Sequence, residues 1–337
     1  MKRPYYLFSN GRLQRRHNTL SFVKASDERT WGAEAEDTGE PTGTLTSNRA
    51  TIPVEQVDAL YLFGEVDINT KLVTFLGQQH IPMYFFDYYG NYTASLYPRE
   101  YLLSGKLKVK QVQHYLSTKK RLALARAFVD AALYNIGRVL KYYVPRLEGK
   151  AARQVHEAEQ HIGHQRLVLD EVADVQELMG VEGHCRERRP PSNALNALIS
   201  FGNALCYSVV LRQIYRTALD PTISYLHEPG VRRFSLALDL AEVFKPLLVD
   251  RAIFRLIKNG QLAPKHFEPR LGGTYLKDAG RKVFVGHWDE RLRKTVMHRR
   301  LEKKVSYERL VRLECHKLTR HLFDPKNDPY EGFNMWW

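Results

Sequence analysis

The periodicity of this chain changes once, close to residue 104, and that change constrains the fold more than any other feature. Before it come short runs rich in aromatic and β-branched residues, separated by Gly, Asn and Pro, which is typical of strands and turns. These runs are YYLFSN, TLSFV, ALYLF, LVTFL, PMYFFD and NYTASL. Asn10-Gly11 is a hairpin signal between two of them. Segments 56–63 and 70–77 are also compatible with short helices.

After the change, apolar residues recur at helical spacing. Val129, Leu133, Ile136 and Leu140 form one apolar face, and Pro145 ends that run. Residues 151–179 and about 291–323 read as further helices, the last with a basic stripe. We therefore predict an α+β fold: a small N-terminal, mostly β domain over residues 1–103, followed by a larger all-helical domain over residues 104–337.

The net charge, like the periodicity, differs between the two parts of the chain. The chain has a net charge of +14, from 51 Lys and Arg against 37 Asp and Glu. Residues 1–100 contain 10 basic and 12 acidic residues, a net of −2, so the remainder contains 41 and 25, a net of +16. A localised basic excess favours a polyanionic partner, most often nucleic acid. The alternative is that the excess serves only solubility.

One stretch, residues 225–251, concentrates the chemistry. It holds His227 and then a predicted helix with Ser235 as its N-cap, in which Asp239 and Glu242 project from one side. Carboxylates beside apolar neighbours need arginines, hydrogen bonds or a metal as partners. Glu182, in LMGVEGHCRERRPP, is a third candidate ligand. A solvated helix face and a structural histidine are the alternatives.

Several classes of protein are disfavoured. The chain has no Walker A, G-x-G-x-x-G or G-x-S-x-G motif, which argues against an ATP-driven motor, a Rossmann enzyme and an α/β-hydrolase. It has no run of 18 apolar residues and no signal-peptide pattern, so we expect no membrane association. Its scattered cysteines suit a reducing cytoplasm and argue against structural zinc; they are Cys185, Cys206 and Cys315.

Several separated motifs resemble, in the expected order, the CRISPR-associated integrase family, the endonuclease/integrase subunit of the CRISPR adaptation complex. They are YYLFSNGRLQRRHNTLSF, PVEQVDALYLFGEVDIN, the Glu182-Gly183 pair, NALNALISFGNALCYSVV and LDPTISYLHEPGVRRFSLALDLAEVFKPLLVDR. The resemblance covers nearly the whole chain. One departure is the segment 24–49, which is longer than a simple hairpin needs and reads as an exposed acidic loop.

The resemblance implies a metal-dependent DNA integrase that inserts captured fragments into a CRISPR array. It implies that Glu182, His227 and Glu242 hold Mg²⁺ or Mn²⁺, with Asp239 as a further catalytic acidic residue. The first domain shows no catalytic constellation, so we predict an interaction or dimerisation role for it, and the second domain is the predicted catalytic, DNA-binding domain. The implied partners are double-stranded DNA, a second copy of the chain and a small adaptation subunit with a ferredoxin-like fold.

Basic residues near the candidate site are the predicted DNA contacts, namely Arg186, Arg188, Arg189 and Lys245. Two other functions remain open at this point: a stand-alone metal-dependent nuclease acting on branched DNA in repair, and a non-catalytic DNA-binding scaffold. The C-terminal PYEGFNMWW is expected to pack on this chain or a neighbouring one, because undocked terminal aromatics would leave an exposed apolar patch.

Overall fold

The structure is a computed structural model, and it describes residues 2–25, 49–99, 102–182, 191–230, 234–270 and 272–336. The chain divides into two compact units, Met1–Tyr101 and Leu102–Trp337. This division lies two residues before the predicted boundary. Most of the predicted acidic loop, 24–49, lies outside the described residues. So do three of the predicted DNA contacts, Arg186, Arg188 and Arg189.

The described residues of the first unit form two four-stranded sheets and one α-helix. One sheet has the order β1-β5-β7-β8, in which β8 is antiparallel to β7 and the other pairs are parallel. The other has the order β4-β3-β2-β6, a meander with β6 parallel to β2. The strands are β1 Arg3–Leu7, β2 Gly11–Arg16, β3 Thr19–Lys24, β4 Arg49–Pro53, β5 Val57–Leu62, β6 Val66–Asp67, β7 Met83–Phe86 and β8 Tyr92–Leu96.

The two ambiguous segments of this unit resolve differently. Residues Val57–Leu62 form a fully buried strand, which has no alternating pattern because neither face meets water. Thr70–Gln78 form helix α1, which begins where the Asn69 side chain accepts a hydrogen bond from Leu72 N at 2.9 Å. Leucine and phenylalanine side chains of α1 pack into the same core as the sheets.

The second unit is mostly helical, and the predicted fold class is confirmed. Its helices are α2 Gly105–Leu116, α3 Thr118–Tyr143, α4 Gly149–Leu167, α5 Val175–Glu182, α6 Ala194–Tyr215, α7 Ser235–Lys245, α8 Arg251–Lys258, α9 Asp278–Arg293 and α10 Tyr307–Phe323. A π-helical turn, Pro246–Asp250, joins α7 to α8. Helices α2 and α3 meet at Ser117, which is the C-cap of the first and the N-cap of the second.

Two short hairpins correct the all-helical description of the second unit. The first pairs β9 Phe267–Arg270 with β10 Gly273–Leu276, and the second pairs β11 Thr295–His298 with β12 Lys303–Ser306. The predicted helix over about 291–323 was therefore wrong in its first half. Its residues Thr295, Val296 and Val305 are β-branched, which favours strands over helix.

Helix α7 lies at the centre of this unit and packs against both α3 and α6. Nine of its eleven residues are buried, including the polar Ser235, Asp239 and Glu242, so this helix belongs to the core of the unit. Helix α6 approaches the π-helical turn closely, because a Cβ added at Gly202 would lie 2.4 Å from the Val249 side chain. Of the described helices, α6 alone has the length and composition to cross a membrane, but 56% of its most apolar window is buried inside the protein.

The C-terminal segment is extended and docks on the helices of its own unit. The buried Asn135 side chain of α3 donates hydrogen bonds to the carbonyls of Val243 and Phe333, at 2.9 and 2.8 Å, and accepts one from Met335 N. Trp336 packs edge-to-face on Phe333. The expectation that this tail packs on the protein therefore holds for its described part, up to residue 336.

Candidate functional site

A buried carboxylate on α7 organises the loop that precedes this helix. Asp239 is fully buried and accepts four hydrogen bonds. Its Oδ2 accepts from the backbone N–H groups of Tyr225 and Leu226, at 2.6 and 3.0 Å. Its Oδ1 lies 2.9 Å from both the backbone nitrogen and the ring Nδ1 of His227. Three consecutive backbone donors and one imidazole thus converge on one side chain.

This arrangement determines how His227 presents its ring. A carboxylate can only accept, so the proton of the neutral imidazole lies on Nδ1 and Nε2 carries the lone pair. The side chain is 18% exposed, so its ring is partly accessible. A carboxylate that orients a histidine in this manner is the usual outer partner of a metal-bound imidazole. Asp239 therefore fixes the orientation of the His227 ring.

The hydroxyl groups of Ser224 and Ser235 form hydrogen bonds within the same loop. Ser224 Oγ donates to the carbonyl of His227 at 2.6 Å and lies 2.8 Å from Ser235 Oγ, which in turn contacts the carbonyl of Thr222. The predicted N-cap role of Ser235 was wrong, because the cap position is Phe234 and Ser235 is the first helical residue. Its hydroxyl binds the preceding loop instead.

Side chains of α2 and α3 hold the loop from outside. Arg121 donates from Nε to the carbonyl of Tyr225 at 2.9 Å and forms a 2.7 Å ion pair with Glu228. Tyr115 donates to the same carboxylate at 3.0 Å. Sequence analysis did not identify Arg121, which lies 106 positions before His227, because no local pattern relates a helix residue to a loop so far away.

Glu242 lies one helical turn beyond Asp239 and has a different environment. Its buried carboxylate pairs with Lys245 of the same helix. Both groups lie near Cys206 of α6: burial raises the pKa of that thiol to about 12, Lys245 opposes this shift and Glu242 adds to it. Residues three apart on a helix are about 5–6 Å apart at Cβ. The Cβ atoms of Asp239 and Glu242 are therefore about this far apart.

The remaining candidates are not tested by the described side chains. Glu182 is the last residue of α5, and its side chain lies outside the described part of the structure. Among the side chains that are described, no three His, Cys, Asp or Glu residues form a metal-binding group. The site of Glu182, His227 and Glu242 therefore stays a prediction.

Comparison with known proteins shows which proteins this chain resembles over its length. The family model described as CRISPR associated protein Cas1 matches residues 5–187 and 184–290. The CRISPR-associated endonuclease Cas1 2 of Moorella thermoacetica is 45% identical over 99% of this chain and 100% of its own. The solved Cas1 protein of Thermotoga maritima has a TM-score of 0.80 and 37% identity, covering 97% of this chain and 99% of its own.

A more distant solved structure shares the fold alone. It is a casposase bound to integration product, with a TM-score of 0.76 and 19% identity, covering 99% of this chain and 96% of its own. The relatives with higher identity match over nearly their full lengths, and the family model matches most of this chain. The chain therefore belongs to the CRISPR-associated Cas1 family.

Proposed function

We propose that this protein is a metal-dependent DNA endonuclease and integrase that inserts captured DNA fragments into a CRISPR array by transesterification. The observation that carries the proposal is the presentation of His227 by a buried carboxylate, with Glu242 one helical turn away. The full-length similarity to proteins named CRISPR-associated endonucleases supports it, as does the basic second unit of the chain.

The donor chemistry fits a divalent cation held by Glu182, His227 and Glu242. One imidazole among carboxylates suits Mn²⁺ well, and Mg²⁺, which prefers oxygen ligands, fits the same set less closely. Asp239 contributes by fixing the ring that presents Nε2. When bound, the cation would polarise the scissile phosphate and stabilise its developing charge.

The reaction itself exchanges one phosphodiester bond for another. The 3′-hydroxyl oxygen of the incoming fragment loses its proton and attacks the target phosphorus, forming a new P–O bond. The bond from that phosphorus to the 3′-oxygen of the target strand breaks, and this oxygen takes up a proton and leaves as a 3′-hydroxyl. Because the number of phosphodiester bonds is unchanged, no ATP is required, which agrees with the missing Walker A motif. The protein's part is to orient the reacting groups through the ordered loop at His227.

The partners follow from the same proposal. They are double-stranded DNA, as fragment and as CRISPR repeat, a second copy of the chain, and a small ferredoxin-like adaptation subunit. Arg186, Arg188, Arg189 and Lys245 remain proposed DNA contacts, although Lys245 is ion-paired with Glu242 in the described structure. The buried thiols of Cys206 and Cys315 suit the proposed cytoplasmic location.

The test is a strand-transfer assay with the small subunit, a DNA fragment and a plasmid bearing the array. Glu182→Ala, His227→Ala and Glu242→Ala should each abolish joined product in Mg²⁺ or Mn²⁺, whereas Asp130→Asn, at an ion pair between α3 and α4, serves as control. Near-native joining by two of the three variants would refute the site. Cleavage without joining indicates a repair nuclease, and DNA binding that needs no metal, with no cleavage, indicates a scaffold.

A further inference from the structure

A second feature of the helical unit carries a concentration of positive charge. It is a cavity of about 450 Å³ whose walls come from α3, α8, α9, β11 and α10. Eight residues line it, and five of them are cations: Arg138, Lys141, Arg251, Arg291 and Lys294. The others are two tyrosines and a valine, so no described lining residue is acidic. We call this the basic pocket.

Aromatic rings position two of its arginines. The Arg251 guanidinium lies 4.6 Å from the ring centre of Tyr142, and that of Arg291 lies 4.7 Å from the ring centre of Tyr307. Arg291 also donates to the hydroxyl of Tyr307 at 3.2 Å and to the carbonyl of Leu247 at 2.6 Å. A ring face attracts a guanidinium and fixes its orientation.

The most buried member shows the electrostatic consequence. Arg291 is 6% exposed, and burial lowers the pKa of its guanidinium to about 10, with the neighbouring positive charge of Arg251 acting in the same direction. A cation out of water is stabilised by an anion and by hydrogen bonds. The contacts described for Arg291 supply the hydrogen bonds from neutral groups, and the cavity beside it is where an anion fits.

The chemistry of the lining indicates which anion. Arginines that are held rigid offer paired N–H donors that match the oxygens of a phosphate, and lysines such as Lys141 and Lys294 add mobile point charges. Both lysines are exposed, so they lie at the mouth while Arg291 lies at the base. The lining combines five cations with no acidic residue among its described members, which favours a ligand with several negative charges.

The basic pocket is distinct from the candidate metal site. Arg251 follows Glu242 by nine residues and lies beyond the π-helical turn Pro246–Asp250. None of the eight described lining residues belongs to α7 or to the loop at His227. The two features therefore share no described residue, and a ligand in one does not have to occupy the other.

We propose that the basic pocket binds phosphate groups, and that the backbone of a DNA strand supplies them at a point remote from the reacting bond. The identity of that source rests on the proposed function, whereas phosphate binding itself does not. A free polyphosphate offers the same chemistry as consecutive backbone phosphates. The two sources must therefore be separated by experiment.

The test compares two double variants that remove equal charge. Lys141→Gln with Lys294→Gln alters the mouth of the pocket, and Lys119→Gln with Lys150→Gln alters exposed lysines on α3 and α4 as the control. All four lysines are exposed, so both proteins should fold. Equilibrium binding is measured in EDTA, with a fluorescent DNA duplex that has single-stranded ends at several salt concentrations, and with inorganic pyrophosphate by calorimetry.

We expect the pocket variant to bind pyrophosphate at least tenfold more weakly than the control. It should also reduce the slope of log K against log salt for DNA by about 1 to 2, since each lost phosphate contact changes that slope by about 0.7 to 0.9. Loss of pyrophosphate binding with an unchanged DNA slope would overturn the DNA source and leave a polyphosphate site. If neither quantity differs from the control, the pocket is not a phosphate site.

The readout is independent of catalysis. Binding in EDTA requires neither the metal nor strand transfer, so a failure of the proposed integrase activity would not alter it. Conversely, the wild-type protein could join DNA normally while the pocket variant binds DNA and pyrophosphate like the control. That result would support the proposed function and refute this inference.

Discussion

Replacing Asp239 by Asn is the perturbation that most directly tests how the site is built. The side chain keeps its size and its place on α7 but offers one acceptor oxygen in place of two. Its NH₂ group then faces donors, either backbone N–H groups or the Nδ1–H of His227. About two of the four hydrogen bonds are therefore lost, and two buried donors are left opposite another donor.

The magnitude follows from the number of bonds. A hydrogen bond to a charged group contributes about 1.5–3 kcal/mol net, so two lost bonds correspond to about 3–6 kcal/mol of unfolding free energy. Bonds in one network are not additive, and we expect the lower value. About 3 kcal/mol in a unit of this size corresponds to a fall of roughly 6–12 °C in the unfolding temperature.

The functional effect should be separable from this loss of stability. Loss of an outer partner of a metal-binding histidine costs about 10- to 100-fold in metal affinity or activity. At a temperature where the variant is folded, strand transfer should therefore require more Mn²⁺ for half-maximal rate, and excess Mn²⁺ should restore part of it. Excess Mn²⁺ should not restore strand transfer in Glu242→Ala, which removes a proposed ligand.

The control is Asp130→Asn, which breaks a partly exposed ion pair with Arg166 and should change stability by no more than about 1 kcal/mol. Calorimetry and a Mn²⁺ titration of strand transfer supply both readouts. The reasoning is refuted if Asp239→Asn melts and responds to Mn²⁺ like the control, because Asp239 would then not hold His227.

Three further substitutions test neighbouring features. Lys245→Gln should lower the Mn²⁺ concentration for half-occupancy by a factor of roughly 5 to 30, or about 1–2 kcal/mol, because it removes a cation that competes for Glu242. Calorimetry with Mn²⁺ measures this affinity, and an unchanged value would contradict the prediction. Asn135→Ala should release the C-terminal segment, measured as faster amide exchange over residues 328–336, since a buried donor left unpaired costs about 1–3 kcal/mol. Gly202→Ala should destabilise the helical unit by about 1–3 kcal/mol through overpacking against Val249, measured by thermal unfolding.

Some of this architecture was predictable from local patterns. The change of periodicity near residue 104 gave the strand-rich and helical regions, because periods of 2 and 3.6 are local properties of the chain. The ambiguity at residues 70–77 could also have been resolved, since Asn69 with apolar residues three and four apart is a helix-start pattern. The hairpin at Thr295–Ser306 was missed because a run of charged residues with scattered apolar ones fits a helix equally well by spacing.

The site was predictable only in part, for a related reason. The spacing of Asp239 and Glu242 placed them on one side of a helix, but spacing does not say what that side faces. The loop at Tyr225–His227 folds back onto α7, and Arg121 reaches it from α3. Both contacts are tertiary, and nothing in the local sequence marks a backbone N–H as the partner of a distant carboxylate.

The two acidic residues of α7, equivalent by spacing, are made different by their partners. Three backbone N–H groups bind Asp239, and they cannot leave it unless the loop at His227 unfolds. Glu242 instead pairs with Lys245, whose long flexible side chain carries a single charge and can be displaced by a divalent cation. The proposed roles follow from this difference: orientation of His227 by the residue whose partners are fixed, and cation binding by the residue whose partner is exchangeable. This is why we expect excess Mn²⁺ to compensate for a change at Asp239 but not for one at Glu242.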